Sequence, residues 1–358
     1  MKYTKLAILA LAFLGATPSL MHAQGAGSEW DILNKEVGEL YQAGKYDRAV
    51  LLAGKALKIA EQNLGPDHPD VAFSLSNMAT LYKAQGNYAK AEPLYKQALA
   101  IWEKSLGPEH PDVALCLHNL GVLYMTQGDF DKAEPLHQRA LAIREKSLAP
   151  DDPDVASSLN SLAGLYDARG ELDRAETLYK QSLAIWEKSL GPEHPRVALS
   201  LGNLATLYEA RREYAKAEPL HKQSLAISEK NLGPDHPDVA LSLNNLAVVY
   251  KVQGEFDKAE PLYKRSLAIR EKSLGPNHPD VAASLHNLAR LYHDQGDYAR
   301  AEPLYTRSLA IREKTLSPDH PDLAKSLECL AILYRSTQRV AEAETLELRA
   351  AKIRPAKR

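Results

Sequence analysis

Cysteine is scarce in this chain: Cys116 and Cys329 are the only two in 358 residues. A disulfide needs its two Cα atoms within roughly 7 Å. Two thiols five repeats apart in a linear array do not meet that condition, so the fold must be held by packing alone. An excess of one charge is lacking too. The 44 basic and 46 acidic residues leave a formal −2, which excludes a strong field drawing the chain to nucleic acid or an anionic membrane. The apolar run Leu6–Ala16 falls short of the ~20 residues that span a bilayer. Asn-x-Ser/Thr sequons are absent, as are a Gly-rich phosphate loop, His-Glu-x-x-His and Gly-x-Ser-x-Gly. No nucleophile, base and orienting group stand out together. The expectation is therefore a protein that is not an enzyme, with no cofactor and no metal centre.

The amino terminus reads as an export signal. Lys2 and Lys5 precede the run Leu6–Ala16, and "TPSLMHA" follows before Gln24. This is the three-part layout of a secretory signal cut after Ala23. No cysteine lies at the cut to carry a lipid anchor. Loss of Lys2 and Lys5 takes the formal charge from −2 to −4. The expected organisation is a signal at 1–23, a linker at 24–29, one helical array at 30–354 and a basic tail at 355–358. An exported protein, periplasmic or secreted and bacterial in style, follows from that layout.

What the sequence has in abundance is repetition. Gly-Pro steps begin at 65, 107, 191, 233 and 275, and Ala149-Pro150 and Ser317-Pro318 fill the remaining places, at steps of 42 residues. Self-similarity at this period marks a solenoid, in which each unit buries its apolar face against its neighbours. Every unit carries two helical patterns and no strand pattern. In the second unit, Leu75, Met78, Ala79 and Tyr82 form one stripe at helical spacing, and Ala91, Leu94, Tyr95, Ala98 and Leu99 form the next. Eight helix pairs are expected, with joints near 65, 107, 149, 191, 233, 275 and 317. Glu347 stands where Tyr95 and Tyr263 stand earlier, a polar substitution suited to a terminal face with no neighbour.

The spacing Leu75-x2-Met78-Ala79-x2-Tyr82 followed by Ala91-x3-Tyr95 resembles the tetratricopeptide repeat. The longer 42-residue period is similar to the repeats of kinesin light chains and related bacterial proteins. The resemblance covers Trp30 to about Arg354. It implies an all-α, right-handed superhelical solenoid with a concave groove that holds protein segments. It says little about which segment, since the scaffold is widely reused.

"DHPD" looks like metal or proton-transfer chemistry, yet His68, His110, His194, His236, His278 and His320 repeat it at every joint. A mechanical reading explains each residue. Gly233 suits the left-handed position past a helix end and Pro234 blocks continuation. Pro237 fits the first helical position, and His236 before it is pushed out of the α region, as a cap must be. Asp238 faces the positive end of the helix dipole. One joint carries Asp152 in place of His, and a cap-former substituting for a supposed ligand argues for capping. One motif resists explanation: "AEPLY" puts Pro93, Pro135, Pro219, Pro261 and Pro303 inside the second helices, with Thr177 and Thr345 at the same place, where proline should remove a backbone bond.

If the first-helix stripe 75, 78, 79, 82 is buried, positions 73, 77, 80 and 84 point the other way. The resemblance implies that this is the inner face. Position 77 reads Asn77, Asn119, Ser161, Asn203, Asn245, Asn287 and Cys329. Asparagine is a mediocre helix residue, so its return needs a cause. Its amide can grip an extended peptide backbone, or it can brace the neighbouring repeat, and both readings stand. The seventh unit gathers His286, Asn287, Arg290 and His293, followed by Arg335. This basic end suits an acidic segment, unless Arg290 is spent on Asp294 at i,i+4. Trp102 and Trp186 alternate with Arg144, Ser228, Arg270 and Arg312, which predicts partly exposed indoles. The expected function is a scaffold for a protein or peptide partner. The alternative is an assembly subunit of a cell-envelope complex or a homo-oligomer.

Overall fold

The structure, a computed structural model, describes residues 26–353. The stretches expected to be an export signal and a basic tail lie outside the described residues. Sixteen α-helices follow one another in consecutive pairs, and no strand occurs among the described residues. The first helices of the pairs are α1 (Ser28–Gln42), α3 (Pro69–Ala84), α5 (Pro111–Gln127), α7 (Pro153–Arg169), α9 (Pro195–Ala210), α11 (Pro237–Val252), α13 (Pro279–Asp294) and α15 (Pro321–Ser336). The second helices are α2 (Tyr46–Leu64), α4 (Tyr88–Leu106), α6 (Phe130–Ser147), α8 (Leu172–Leu190), α10 (Tyr214–Leu232), α12 (Phe256–Leu274), α14 (Tyr298–Thr315) and α16 (Val340–Ile353). The helices form two compact units, one ending at Pro192 and the other beginning at Glu193.

Within each pair, small residues meet where the helices cross. Ala79 and Ala91 are fully buried, as are Ala163 and Ala175 in the first unit and Ala247 and Ala259 in the second. A large ring then fills the space beside them: Tyr95, Tyr179 and Tyr263 are buried, each such side chain worth roughly 1.5–3 kcal/mol on burial. The Tyr95 hydroxyl lies 2.8 Å from Thr80 Oγ1, so its polar end is satisfied.

The joints are caps. In six of them a histidine Nδ1 accepts the backbone N–H two residues on, as His68 does from Asp70 at 3.2 Å and His236 from Asp238 at 3.2 Å. Asp152 does the same with Oδ1, from Asp154 N at 2.8 Å. Imidazole and carboxylate are interchangeable here because both present an acceptor to an orphan donor of the first turn. The glycine before the cap departs from expectation. Gly233 has φ 86° and ψ 155°, which is the extended positive-φ region open essentially to glycine, rather than the left-handed helical one. Where Ala149 and Ser317 replace it, α6 and α14 are 18 residues long instead of 19, and the chain leaves through extended Leu148 and Leu316. The left-handed residue sits at the other turn, between the helices of a pair. It is Gly128 or Gly170 in two repeats and non-glycine Arg212 (φ 61°) in another.

The proline inside the second helix also finds its reason. Pro93, Pro135, Pro219, Pro261 and Pro303 are all exposed, and so are the residues four before them, Ala89, Asp131, Ala215, Asp257 and Ala299. The carbonyl deprived of its bond thus faces water, where the loss is smallest. Thr177 and Thr345 turn their hydroxyls onto that carbonyl instead, at 3.0 Å to Asp173 O and 2.9 Å to Ala341 O.

Neighbouring repeats are latched by polar pairs that spacing alone did not reveal. The glutamate of "AEPLY" accepts from the tyrosine hydroxyl of the following repeat: Tyr124 to Glu92 at 2.8 Å, Tyr166 to Glu134 at 2.8 Å and Tyr292 to Glu260 at 3.0 Å. Trp102 and Trp186 overturn the prediction of exposure, being only 3% and 2% exposed. That row faces the first helices. Trp186 Nε1 donates to Pro153 O at 3.0 Å, while Arg144 and Arg270 reach forward to Ser158 Oγ and Ser284 Oγ, both at 2.8 Å.

Candidate protein-interaction face

Because proline and a cap fix where each first helix begins, positions 77, 119, 161, 203, 245, 287 and 329 share one register. The amides along it are not equally placed. In the first unit, Asn77 is half-buried and donates from Nδ2 to Asn34 Oδ1 of α1 at 3.2 Å. Asn119 is buried, and its Oδ1 has no hydrogen-bond partner among the described residues. Ser161 is buried too. In the second unit, Asn203, Asn245 and Asn287 are half-buried. Asn287 donates to Asn244 Oδ1 of the preceding first helix at 2.8 Å, and Asn244 donates to Asn245 Oδ1 at 3.5 Å. Bracing between repeats therefore occupies one amide end of Asn77 and of Asn287, and the carbonyl end of each remains as an acceptor.

The basic end resolves into unlike parts. Arg290 is exposed and makes no ion pair among the described residues; Asp294 is held instead by Lys251 of α11 at 3.0 Å. Burial, together with the nearby Arg290 guanidinium, lowers the Lys251 pKa below the usual lysine value. Arg335 is taken up by Glu347 through two bonds of 2.7 Å, so the polar cap of the last helix also neutralises that arginine. His293 rests on Tyr298 with ring centroids 5.4 Å apart. His286 is buried edge-on against Tyr305 at 5.4 Å, and burial pushes its pKa down to about 3. Of the four groups gathered by sequence, Arg290 presents an exposed positive charge without an ion-pair partner.

Sequence reasoning passed over Glu209 and Lys251, which share the register of His293 and Arg335. Glu209 Oε1 lies 2.5 Å from His221 Nε2, and Lys251 and Arg335 meet Asp294 and Glu347. The signal was available, since a charged residue recurs in that register opposite a ring or an acid of a neighbouring helix. Among the described residues no cluster of three or more His, Cys, Asp or Glu is arranged to hold a metal ion.

Paired antiparallel helices, repeated in one register with a lining of amides, define a helical-repeat interaction protein. The tetratricopeptide repeat model matches at residues 32–104, 75–146, 116–188, 154–230, 208–272, 238–314 and 293–356, and the chain belongs to that family. Its repeats are similar to those of a putative kinesin light chain from Podosopora anserina with nearly identical TPR-like repeats. That structure is 34% identical, with a TM-score of 0.51 over 57% of this chain and 97% of the other. They are similar also to BtubC (BKLC) from P. vanneervenii, 28% identical, with a TM-score of 0.55 over 64% of this chain and 91% of the other. A signal-transduction ATPase with a tetratricopeptide repeat sensor from Pyrococcus horikoshii shares the fold at 18% identity, with a TM-score of 0.64 over 90% of this chain and 48% of the other. No curated protein matches the chain. Tetratricopeptide repeats indicate a scaffold for protein interaction, so proteins are its partners. No described helix is long and apolar enough to cross a membrane.

Proposed function

We propose that the chain is an exported, non-enzymatic scaffold that holds extended protein segments along its first helices. The observation that carries this reading is the asparagine register, with carbonyl ends left over at the half-buried Asn77 and Asn287. An amide needs both its ends satisfied when water is excluded, and the N–H groups of an extended peptide supply what these acceptors lack. Asn203, Asn245 and Asn287 form the equivalent row of the second unit. Arg290 adds a preference for an acidic side chain there.

The test is selection of binding peptides from a displayed random library, followed by titration of the selected peptide against the triple variant N203A/N245A/N287A. Affinity should fall at least tenfold with helix content unchanged. Equal affinity with a lower melting temperature would assign the row to bracing alone. Export is tested by expression of the full chain and sequencing of the amino terminus of the protein recovered from the cell envelope, which should begin at Gln24.

A further inference from the structure

Cysteine replaces asparagine once in the inner register, at Cys329 of α15, and the replacement coincides with a second anomaly. His286 of α13, in the preceding repeat, is 7% exposed. Its Nδ1 has no hydrogen-bond partner, and its Nε2 lies 3.9 Å from Cys329 Sγ. Tyr305 packs edge-on against the ring, with centroids 5.4 Å apart. Cys329 itself is half-buried and unpaired with any other cysteine. A buried imidazole aimed at a thiol from the next repeat is thus held by the array itself, since each side chain is fixed by its own capped helix.

We propose that His286 and Cys329 form a two-ligand site for a soft monovalent ion, Cu(I). Metal–ligand bonds of the length zinc makes, about 2.3 Å to sulfur and about 2.0 Å to nitrogen, would span this gap at an S–metal–N angle of about 130°. That is wider than tetrahedral and suits low coordination. No third His, Cys, Asp or Glu completes a cluster among the described residues, so a four-ligand zinc site is not what the geometry offers. Thiolate selects soft ions of this kind. On binding, the S–H bond breaks and its proton goes to solvent, while the S–Cu and N–Cu bonds form; the ion keeps its oxidation state. Nε2 gives its lone pair, which requires the Nδ1–H tautomer. The assignment does not rest on peptide binding to the amide row, although Cys329 lies in the same register.

The experiment uses the full chain purified without a histidine tag and reduced under anaerobic conditions. Cu(I) is supplied as its complex with a chromogenic chelator, and the protein competes for it. Wild type should withhold one equivalent, and C116S should match it, because Cys116 is buried and donates to Tyr95 O at 3.3 Å. C329S and H286Q should each lose at least tenfold in affinity, with melting curves confirming that both are folded. A wild type that withholds no copper overturns the proposal, as does a C329S variant that withholds as much as wild type. Loss in C329S alone overturns the pair and leaves a bare thiol. As an independent reading, Ag(I) should shift the His286 ring resonances in wild type and leave them in place in C329S.

Discussion

His137 offers the sharpest test of how this array stores stability. It occupies the ring position held by tyrosine at Tyr95, Tyr179, Tyr263 and Tyr305. Its side chain is fully buried and neither ring nitrogen has a hydrogen-bond partner. The ring lies so close to α5 that a Cβ at Gly121 would come within 2.8 Å of it, so glycine stands here where Ala79, Ala163 and Ala247 stand beside tyrosine. Burial, with the Arg144 charge as a lesser cause, pushes the pKa down to about 3 from 6.5. A histidine with a depressed folded pKa holds its stability above the unfolded value and loses it as pH falls below about 6.5. At pH 5 the difference in proton uptake between the unfolded and folded states amounts to about 2 kcal/mol, from roughly 1.5 pH units at ~1.36 kcal/mol each. The perturbation is G121A/H137Y, which introduces the Ala-Tyr pair found at Ala79/Tyr95, Ala163/Tyr179, Ala247/Tyr263 and Ala289/Tyr305. Urea unfolding followed by circular dichroism at pH 7 and pH 5 should show the variant losing about 2 kcal/mol less than wild type between the two. An identical loss would refute the reasoning, and so would a His137 ring titrating near 6.5 by NMR.

Other expectations follow from the same geometry. H236A should cost about 1 kcal/mol by removing a cap acceptor, whereas H236D should be nearly neutral, since Asp152 already performs that role; a thermal melt of both variants decides it. R212G should raise stability by ~0.5–1 kcal/mol, because the left-handed backbone at φ 61° strains any side chain more than the extra freedom of glycine costs; an unchanged or lower melting temperature would contradict this. Y292F deletes one latch to Glu260 and should cost about 0.5–1 kcal/mol, read as faster amide exchange where α12 meets α13. Acid should also unfold the cap at His194, where burial and Arg196 lower the pKa: that contribution is present above about 6.5 and fades below it, and H194D should remove the dependence.

Much of the architecture was legible because it rests on local rules. Proline at the first helical position, an acceptor before it and apolar residues at helical spacing act within a few residues, and forty-two-residue copying repeats them. The sequence therefore determined eight helix pairs, their joints and the capping role of the histidines. Where the reading failed, what decided the outcome lay on another helix or in the solvent. Trp186 appeared exposed because arginine shares its register, yet both reach the neighbouring first helix. Pro93 appeared costly until the helix face carrying it proved to be the wet one. Arg290 was free to pair with Asp294 by spacing, but Lys251 of the preceding repeat takes that carboxylate. His286 was read as a groove residue, and only the packing of Tyr305 and Cys329 against it buries the ring. Periodicity along one chain states which face of a helix is apolar; which polar group meets which, and whether water reaches them, depends on atoms brought together by stacking.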